Sequence, residues 1–355
     1  MRRARQHNID MAEILVIRFS ALGDLVTLET LFRALRHFHR DDRITLLTSN
    51  IGKELYGDTG SFDRIVVDTK PNSSLLARAR RLRNHLGLET FDVIYNLQGS
   101  SLAHLITLLL KKRRVVNRSS SLWQKLIGMK LRGKTLPEVL RAAGFDTEAV
   151  SRYFQQPQAE IIQLGVDKRL AEEYREQLAQ AAGDRPIVAL APGASPQWQS
   201  KKWGDERFAE LARRMQDAGF AVIVVGSELE AGAARLIRSR ADQAHDFTGR
   251  TSVGQLKALL GISAVFVGND SGPAHVAAAV GTPTVTLFAP TGSIHCVKHL
   301  PYRGAHICLT AEGGGCKPCY NPHCPKSREC MAAIGVECVF HAALELAHRG
   351  APSLH

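Results

Sequence analysis

The 355-residue chain contains no run approaching the ~18 consecutive apolar residues that a membrane-spanning helix needs. It also lacks a G-x-G-x-x-G or Walker fingerprint, which weighs against dinucleotide and NTPase chemistry. Aromatic residues make up only 6% of the chain and no nucleic-acid motif is recognisable, so no nucleic-acid partner is expected. The first twenty residues, MRRARQHNIDMAEILVIRFS, carry positive charge but neither an apolar h-region nor a small-residue cleavage site. They read as a short leader, with Met11 a candidate start, and the expected location is cytoplasmic. Short-period repeats and low-complexity tracts are absent too. What remains is the composition of a folded soluble chain, 45% hydrophobic and 23% charged, long enough for two domains with separate cores.

Charge is plentiful and unevenly placed. The formal net charge is +12, and residues 1–150 carry 25 Lys/Arg against 15 Asp/Glu. Residues 70–141 alone hold 15 basic and 3 acidic side chains, including the runs Arg78-Ala79-Arg80-Arg81-Leu82-Arg83 and Lys111-Lys112-Arg113-Arg114. A solvated basic surface is the plain reading, and an anionic partner for this half is the sharper one. A phosphorylated lipid surface matches that charge as well as a polynucleotide does.

Short apolar runs alternate with amphipathic segments almost throughout. Strands are predicted at Glu13–Arg18, Arg43–Leu47, Arg64–Val67, Val93–Leu97 and Arg114–Val116, and again at Ile187–Ala191, Ala221–Val225, Ala264–Val267, Thr284–Phe288 and His306–Leu309. Helical patterns occupy Asp24–Phe38, Ser73–Leu86, Asp205–Asp217, Leu229–Arg240, Val253–Leu260, Pro273–Val280 and Ala332–Ala347, with a charged helix at Asp167–Ala182. Such alternation, occurring twice, predicts an α/β protein of two doubly wound parallel-sheet domains. The expected division is an N-terminal domain over 1–160, a linker region over 161–185, a C-terminal domain over 186–330, and a helix and tail over 331–355.

Ligands of open parallel sheets bind beyond the carboxyl ends of the strands, which directs attention to the βα turns. The run Gly268-Asn269-Asp270-Ser271-Gly272-Pro273-Ala274-His275 follows an apolar strand and opens a small-residue helix. Free amides at such a helix start favour phosphate, although Asp, Ser and Pro there are also ordinary caps. Pro192-Gly193-Ala194-Ser195, followed by Lys201-Lys202-Trp203, places a cation after another strand and suits a diphosphate leaving group. A third strand end carries Gly226-Ser227-Glu228-Leu229-Glu230, whose glutamates also suit a first helical turn. Near the start, Arg18-Phe19-Ser20-Ala21-Leu22-Gly23-Asp24 turns a strand into a helix, and Asp24 reads equally as a cap or as a base.

Together these motifs, with Thr248-Gly249-Arg250-Thr251-Ser252, resemble the ADP-heptose:lipopolysaccharide heptosyltransferases, glycosyltransferase family 9, in order and spacing over most of the chain. The resemblance implies a GT-B fold of two facing Rossmann-like domains. It implies an inverting, metal-independent transfer of heptose from ADP-heptose to the anionic inner core of lipopolysaccharide, with no cofactor required for catalysis. By position, Asp24 matches the catalytic base. Lys201, Ser195, Ser271, Gly272, Pro273 and His275 match the donor diphosphate site. Asp270, Glu230 and Thr248 match the nucleoside site, and Arg18, Ser20, Gln98 and Gly99 the acceptor side. The choices between Lys201 and Lys202, and between Glu228 and Glu230, stay open. Two positions depart from the family pattern: Gly204 stands where proline is usual, and Asn96 replaces a common aspartate ahead of Leu97-Gln98-Gly99.

Six of the 7 cysteines lie in the tail, and Cys316, Cys319, Cys324 and Cys330 have spacing that could hold a structural zinc or iron. Reduced thiols and a disulfide are the alternatives, and no role in transfer is expected for the cluster. Cysteines there lean the reading toward the second-heptose type. Leu102–Leu110, followed by basic residues, is expected to be a buried helix rather than a membrane-surface one. The basic half as a whole could still attach peripherally to the cytoplasmic face of the inner membrane. A related transferase with another nucleotide sugar or acceptor, and a non-catalytic nucleotide-sugar-binding protein, are the competing functions.

Overall fold

The computed structural model describes residues 11–87, 90–117, 135–289, 300–310, 321 and 323–349. The chain divides into two compact units, Met1–Ser20 with Thr30–Glu160, and Ala21–Glu29 with Ile161–His355. The first 160 residues run β1 (Glu13–Ile17), α1 (Leu22–Val26), α2 (Glu29–Phe38), β2 (Arg43–Thr48), α3 (Asn50–Tyr56), β3 (Arg64–Val67), α4 (Leu75–Leu86), β4 (Phe91–Asn96), α5 (Ser101–Leu109), β5 (Lys112–Asn117), α6 (Leu136–Ala143) and α7 (Thr147–Phe154). The remainder runs α8 (Lys168–Ala182), β6 (Ile187–Ala191), α9 (Asp205–Asp217), β7 (Ala221–Val224), α10 (Ala231–Arg240), β8 (His245–Asp246), α11 (Val253–Gly261), β9 (Val265–Asn269), α12 (Gly272–Ala279), β10 (Thr284–Phe288), β11 (His306–Thr310), α13 (Glu329–Ala332) and α14 (Val336–Arg349).

Both sheets are parallel throughout. The first has the order β3-β2-β1-β4-β5 and the second β11-β10-β9-β6-β7-β8. Strands such as Ile14-Leu15-Val16-Ile17 and Ile187-Val188-Ala189-Leu190-Ala191 are apolar at every position because helices cover both sheet faces. In the first unit, α4 and α5 lie on one face, where Leu82, Leu86, Leu102 and Ile106 join Leu15, Leu47 and Ile94 in a single core. In the second, Trp203, Phe208, Leu211 and Met215 pack with Val188, Leu190, Val222 and residues of α14.

Each sheet has one place where the strand order reverses, between β1 and β4 in the first and between β6 and β9 in the second. The loops that leave those neighbouring strands diverge and open a crevice beyond their carboxyl ends.

Two expected helices are divided. In place of one helix over Asp24–Phe38, α1 ends at Val26 and α2 starts at Glu29. The Thr27 hydroxyl bonds back to the Asp24 carbonyl at 3.0 Å and the last turn tightens to Leu28 N–H donating to Leu25 C=O. The chain passes from the second unit to the first just after this break, between Glu29 and Thr30. The tail helix is divided into α13 and α14 because the Ile334 carbonyl accepts the Trp203 indole N–H at 2.8 Å, with Gly335 following. The Leu102–Leu110 segment forms α5, with Leu102, Ala103, Ile106 and Thr107 buried on one side as expected, while Leu108 and Leu109 are exposed. Helices α3, α6 and α7 and the two-residue strand β8 have no counterpart among the predicted elements.

Within the second unit α1 packs against α12, and a glycine from each helix makes the approach possible. A Cβ on Gly23 would lie 2.7 Å from Cδ2 of His275, and a Cβ on Gly272 would lie 2.9 Å from Cβ of Leu22. A methyl at position 23 must therefore displace the His275 ring from its hydrogen bond with Tyr302. Gly23→Ala is expected to destabilise this packing by about 1–3 kcal/mol. Urea denaturation checks the size, and faster hydrogen exchange over 22–26 and 272–279 would localise it. Gly254→Ala, where the nearest atom is 3.7 Å away, serves as the neutral control.

Candidate functional site

The reversal point of the second sheet is organised by Asn269, the last residue of β9, which has no exposed surface. Its Nδ2 donates to the carbonyls of Pro192 at 2.8 Å and Gly193 at 3.1 Å, while its Oδ1 accepts the Trp203 N–H at 3.0 Å. One carboxamide thus joins the end of β9 to both ends of the loop that follows β6. Local sequence assigns Asn269 no role beyond its place in the Gly268–His275 motif. A polar residue ending an otherwise apolar strand was the available signal.

That loop carries Lys201 on a 3-10 turn, Gln199–Lys201. Its ammonium reaches the Asp270 carboxylate at 2.5 Å and stands 5.6 Å from the Trp198 ring centroid. Asp270 is buried and Lys201 partly so, which screens the pair less than a surface ion pair. Lys202, the alternative, ends the turn, and its carbonyl accepts from Arg328. Ser195 is exposed, and its carbonyl accepts the Trp198 N–H at 2.8 Å.

Beyond Asp270, Ser271 is the N-cap of α12, Gly272 begins the helix and Pro273 occupies its first turn. Proline there is compatible with the free amide positions of a helix start. The Ser271 hydroxyl makes no cap bond, and its buried Oγ has no hydrogen-bond partner among the described residues. The same holds for Ser200 Oγ in the loop before Lys201, a residue that no sequence motif singles out. Two buried hydroxyls without partners beside a lysine and a helix amino end suit an anion. His275 is hydrogen-bonded through Nδ1 to the Tyr302 hydroxyl at 2.9 Å. Burial raises the Tyr302 phenol well above its ordinary value, so it stays protonated.

The loop after β7 distinguishes the two glutamates. Glu228 is exposed, whereas Glu230 is buried, with Oε2 accepting from the Ser227 N–H at 2.8 Å and Oγ–H at 2.7 Å. The Glu230 carboxyl fits only because Gly193 has no side chain, since a Cβ there would come within 2.6 Å of its Cδ. Thr248 is buried and its hydroxyl donates to Asp246 Oδ1 at 2.6 Å. Gly204 has φ +123°, a conformation closed to proline.

In the first unit, Arg18, Ser20, Gln98 and Gly99 come together at the reversal point between β1 and β4. Arg18 Nη1 donates to the Leu97 carbonyl at 2.7 Å, and Gln98 Oε1 accepts the Phe19 N–H at 2.9 Å and the Ser20 N–H at 3.4 Å. Gln98 thus uses its carboxamide oxygen to tie the two loops. Asn96 is wholly buried, its Oδ1 accepting from the Gln98 and Gly99 N–H groups, and acts through the shape of this loop. Asp24 belongs to the second unit, on α1. It is exposed, and its Oδ2 accepts the Ala21 N–H at 3.2 Å, so its capping role is real.

The tail cysteine cluster lies partly outside the described residues. Cys316 and Cys319 lie outside the described residues, and among the described residues no group of three His, Cys, Asp or Glu could hold a metal. A structural zinc or iron site finds no support there. Cys308 is disulfide-bonded, while Cys324 and Cys338 are thiols, Cys324 Sγ accepting the Arg328 N–H.

The profile of glycosyltransferase family 9 (heptosyltransferase) matches residues 79–328, more than half of the chain. Lipopolysaccharide heptosyltransferase 2 of Escherichia coli strain K12 is 34% identical over 115 residues, which cover 31% of this chain and 33% of that protein. The matched stretch thus spans about a third of that relative. Among solved structures, E. coli ADP-heptose LPS heptosyltransferase II superposes with a TM-score of 0.73 at 21% identity, covering 95% of this chain and 99% of that one. The iron-containing dodecameric glycosyltransferase TibC of enterotoxigenic E. coli superposes at 0.55 with 14% identity, covering 96% and 77%, a likeness of fold that carries no metal to this chain. The fold is GT-B, built from two parallel-sheet α/β domains, and the chain belongs to glycosyltransferase family 9, the heptosyltransferases.

Proposed function

We propose that this protein transfers heptose from ADP-heptose to the anionic inner core of lipopolysaccharide, with inversion, as an enzyme of the second-heptose type. The reading assigns the donor to the second unit and the acceptor to the basic first unit, with the enzyme working at the cytoplasmic face of the inner membrane. The observation that carries it is the group of Lys201, Asp270, the α12 amino end and the Ser200 and Ser271 hydroxyls, which have no partner among the described residues, at one reversal point. A cation, free amides and hydroxyl donors together are what a departing diphosphate requires.

In this reading Asp270 holds Lys201 across the strand ends, and an ammonium has three donors, so the pairing leaves hydrogens for donor phosphates. Ser195, Gly272, Pro273 and His275 complete the diphosphate wall. Glu230, whose Oε1 lies beside Gly193, accepts a nucleoside hydroxyl, with Asp270 and Thr248 lining the same side. Arg18, Ser20, Gln98 and Gly99 shape the acceptor side. Asp24 takes the proton of the acceptor hydroxyl as that oxygen attacks the anomeric carbon. The bond to the diphosphate oxygen breaks on the opposite face, and ADP leaves. Support for Asp24 comes from α1 being packed on α12, which ties the carboxylate's helix to the helix at the proposed diphosphate site.

Incubation with ADP-heptose and defined truncated core acceptors is the direct test, read as transfer and ADP release. Tight ADP binding without turnover on any acceptor would favour the non-catalytic alternative. Asp24→Asn is expected to lower kcat by about 10²–10⁴ while ADP affinity is unchanged, and full activity in this variant would remove Asp24 from the role. Lys201→Ala is expected to lower kcat by about 10²–10³, because one fixed donor to the leaving group is lost.

Asn269→Asp keeps shape and the acceptor for Trp203 but turns a donor to two carbonyls into a carboxylate. Titration with ADP should show affinity about tenfold weaker at alkaline pH. Recovery is expected on acidification, when the introduced carboxyl regains a proton to donate. A pH-independent loss would mean that Asn269 acts through packing alone.

A further inference from the structure

We propose that Tyr302 is a positioning residue for the transfer: its hydroxyl holds His275 in the Nε2-protonated tautomer, so that the ring gives the departing diphosphate a hydrogen bond. The use of the ring rests on the donor site assigned above, whereas the tautomer follows from local geometry. A neutral imidazole has one nitrogen that donates and one that accepts, and the partner of the first decides the role of the second. His275 Nδ1 stands 2.9 Å from the Tyr302 hydroxyl. Among the described residues that hydroxyl has no second hydrogen-bond partner, so its proton has one protein acceptor. Burial keeps the phenol protonated, and it therefore has a proton to give. The phenol donates, Nδ1 accepts, and the ring hydrogen lies on Nε2.

Tyr302 is itself held without help from His275. Its N–H donates to the Leu300 carbonyl at 2.8 Å. Ile162 and Tyr302 form a parallel bridge, and the Ile162 N–H donates to the Pro301 carbonyl at 2.8 Å. Two residues on, the Leu164 N–H donates to the carbonyl of Ala279, the last residue of α12, also at 2.8 Å. The segment that enters the second unit at Ile161 thus fastens the Tyr302 turn to the helix that carries His275. The Tyr302 ring also meets the His306 ring edge-on, and His306 is bonded in turn to Thr284 and the Arg303 carbonyl.

The other edge of the His275 ring faces α1. A Cβ on Gly23 would lie 2.7 Å from Cδ2 and 3.4 Å from Nε2. Gly23 precedes Asp24, and Leu22 beside it abuts Gly272 at the start of α12, so Nε2 lies where the amino ends of the two helices meet. A diphosphate leaves as an anion and is met by donors rather than by a proton. The opposite tautomer would aim a lone pair at it.

Nuclear magnetic resonance of protein labelled with 15N-histidine, at about pH 8, reads the tautomer directly. The His275 signals are assigned by their absence from His275→Ala. Unliganded wild-type protein should show a protonated Nε2 and an unprotonated Nδ1, and ADP should shift the Nε2 signal. Tyr302→Phe keeps the ring and its packing; it should mix the two tautomers and lower kcat about three- to tenfold. In the His275→Ala background the same change should alter kcat less than about twofold, because the residue acts through the imidazole. A protonated Nδ1 in the wild type, an Nε2 signal indifferent to ADP, or an unchanged spectrum in Tyr302→Phe overturns the proposal. So does an equal loss of kcat with and without His275, which would make Tyr302 a packing residue only. Absence of transfer to every acceptor would overturn the reaction and with it the use of the ring, while the spectrum of the unliganded protein still decides whether Tyr302 sets the tautomer.

Discussion

Asn269 shows how much of a binding site can rest on one buried amide. Parallel strands end in loops that diverge, and at the reversal between β6 and β9 nothing in the ladder holds those loops at a fixed separation. The Asn269 side chain supplies the missing bonds, two given to Pro192 and Gly193 and one taken from Trp203. Its two ends have opposite polarity, so neither aspartate nor leucine could replace all three bonds. With the loop fixed at both ends, the short turn that bears Lys201 has few alternatives, and the ammonium arrives at Asp270. The Trp203 indole then bonds to Ile334, which fastens the same loop to the α13–α14 junction.

The two sheets solve the same problem with different chemistry. In the first, Gln98 ties the loops after β1 and β4 by accepting two backbone N–H groups, and Arg18 adds a bond to Leu97. In the second, an asparagine does the work from within the strand itself. The first arrangement leaves polar and cationic groups near the surface, and the second buries the amide and leaves a lysine and hydroxyls at the strand ends. The charge difference along the sequence has the same direction, since the excess of basic residues falls almost wholly in the first 150 positions.

Periodicity made the strands legible, because residues such as Ile14–Ile17 and Ile187–Ala191 must be apolar on both faces of a covered sheet. Strand-end motifs then identified the loops that matter. The breaks in helices were hidden, since amphipathic spacing runs on through Thr27 and Gly335 while the backbone responds to the Thr27 hydroxyl turning back on Asp24 and to an indole 131 residues from Ile334. The role of Asn269 was hidden for a related reason: its partners lie 66 to 77 residues away, and no local rule connects them. The pairing of Arg78 and Arg81 with Asp68 was likewise invisible in a basic run that reads as uniform charge. Only the fold separates the arginines that bind a buried carboxylate from those left facing outward.

Glycine explains why the choice between Glu228 and Glu230 needed the fold. Gly193 and Gly226 come from loops after different strands, and both leave room for the Glu230 side chain: a Cβ on Gly226 would lie 3.1 Å from its Oε2. A buried carboxylate is tolerated only when its lone pairs are met, and the Ser227 amide and hydroxyl meet those of one oxygen. The other oxygen remains beside the glycine-lined gap. Glu228, two residues earlier, sits against Gly249, which has a positive φ, and remains exposed. Both glutamates suit the first turn of a helix equally well as charges. What divides them is the absence of two Cβ atoms elsewhere in the chain, which turns one first-turn charge into a fixed, buried acceptor at the strand ends.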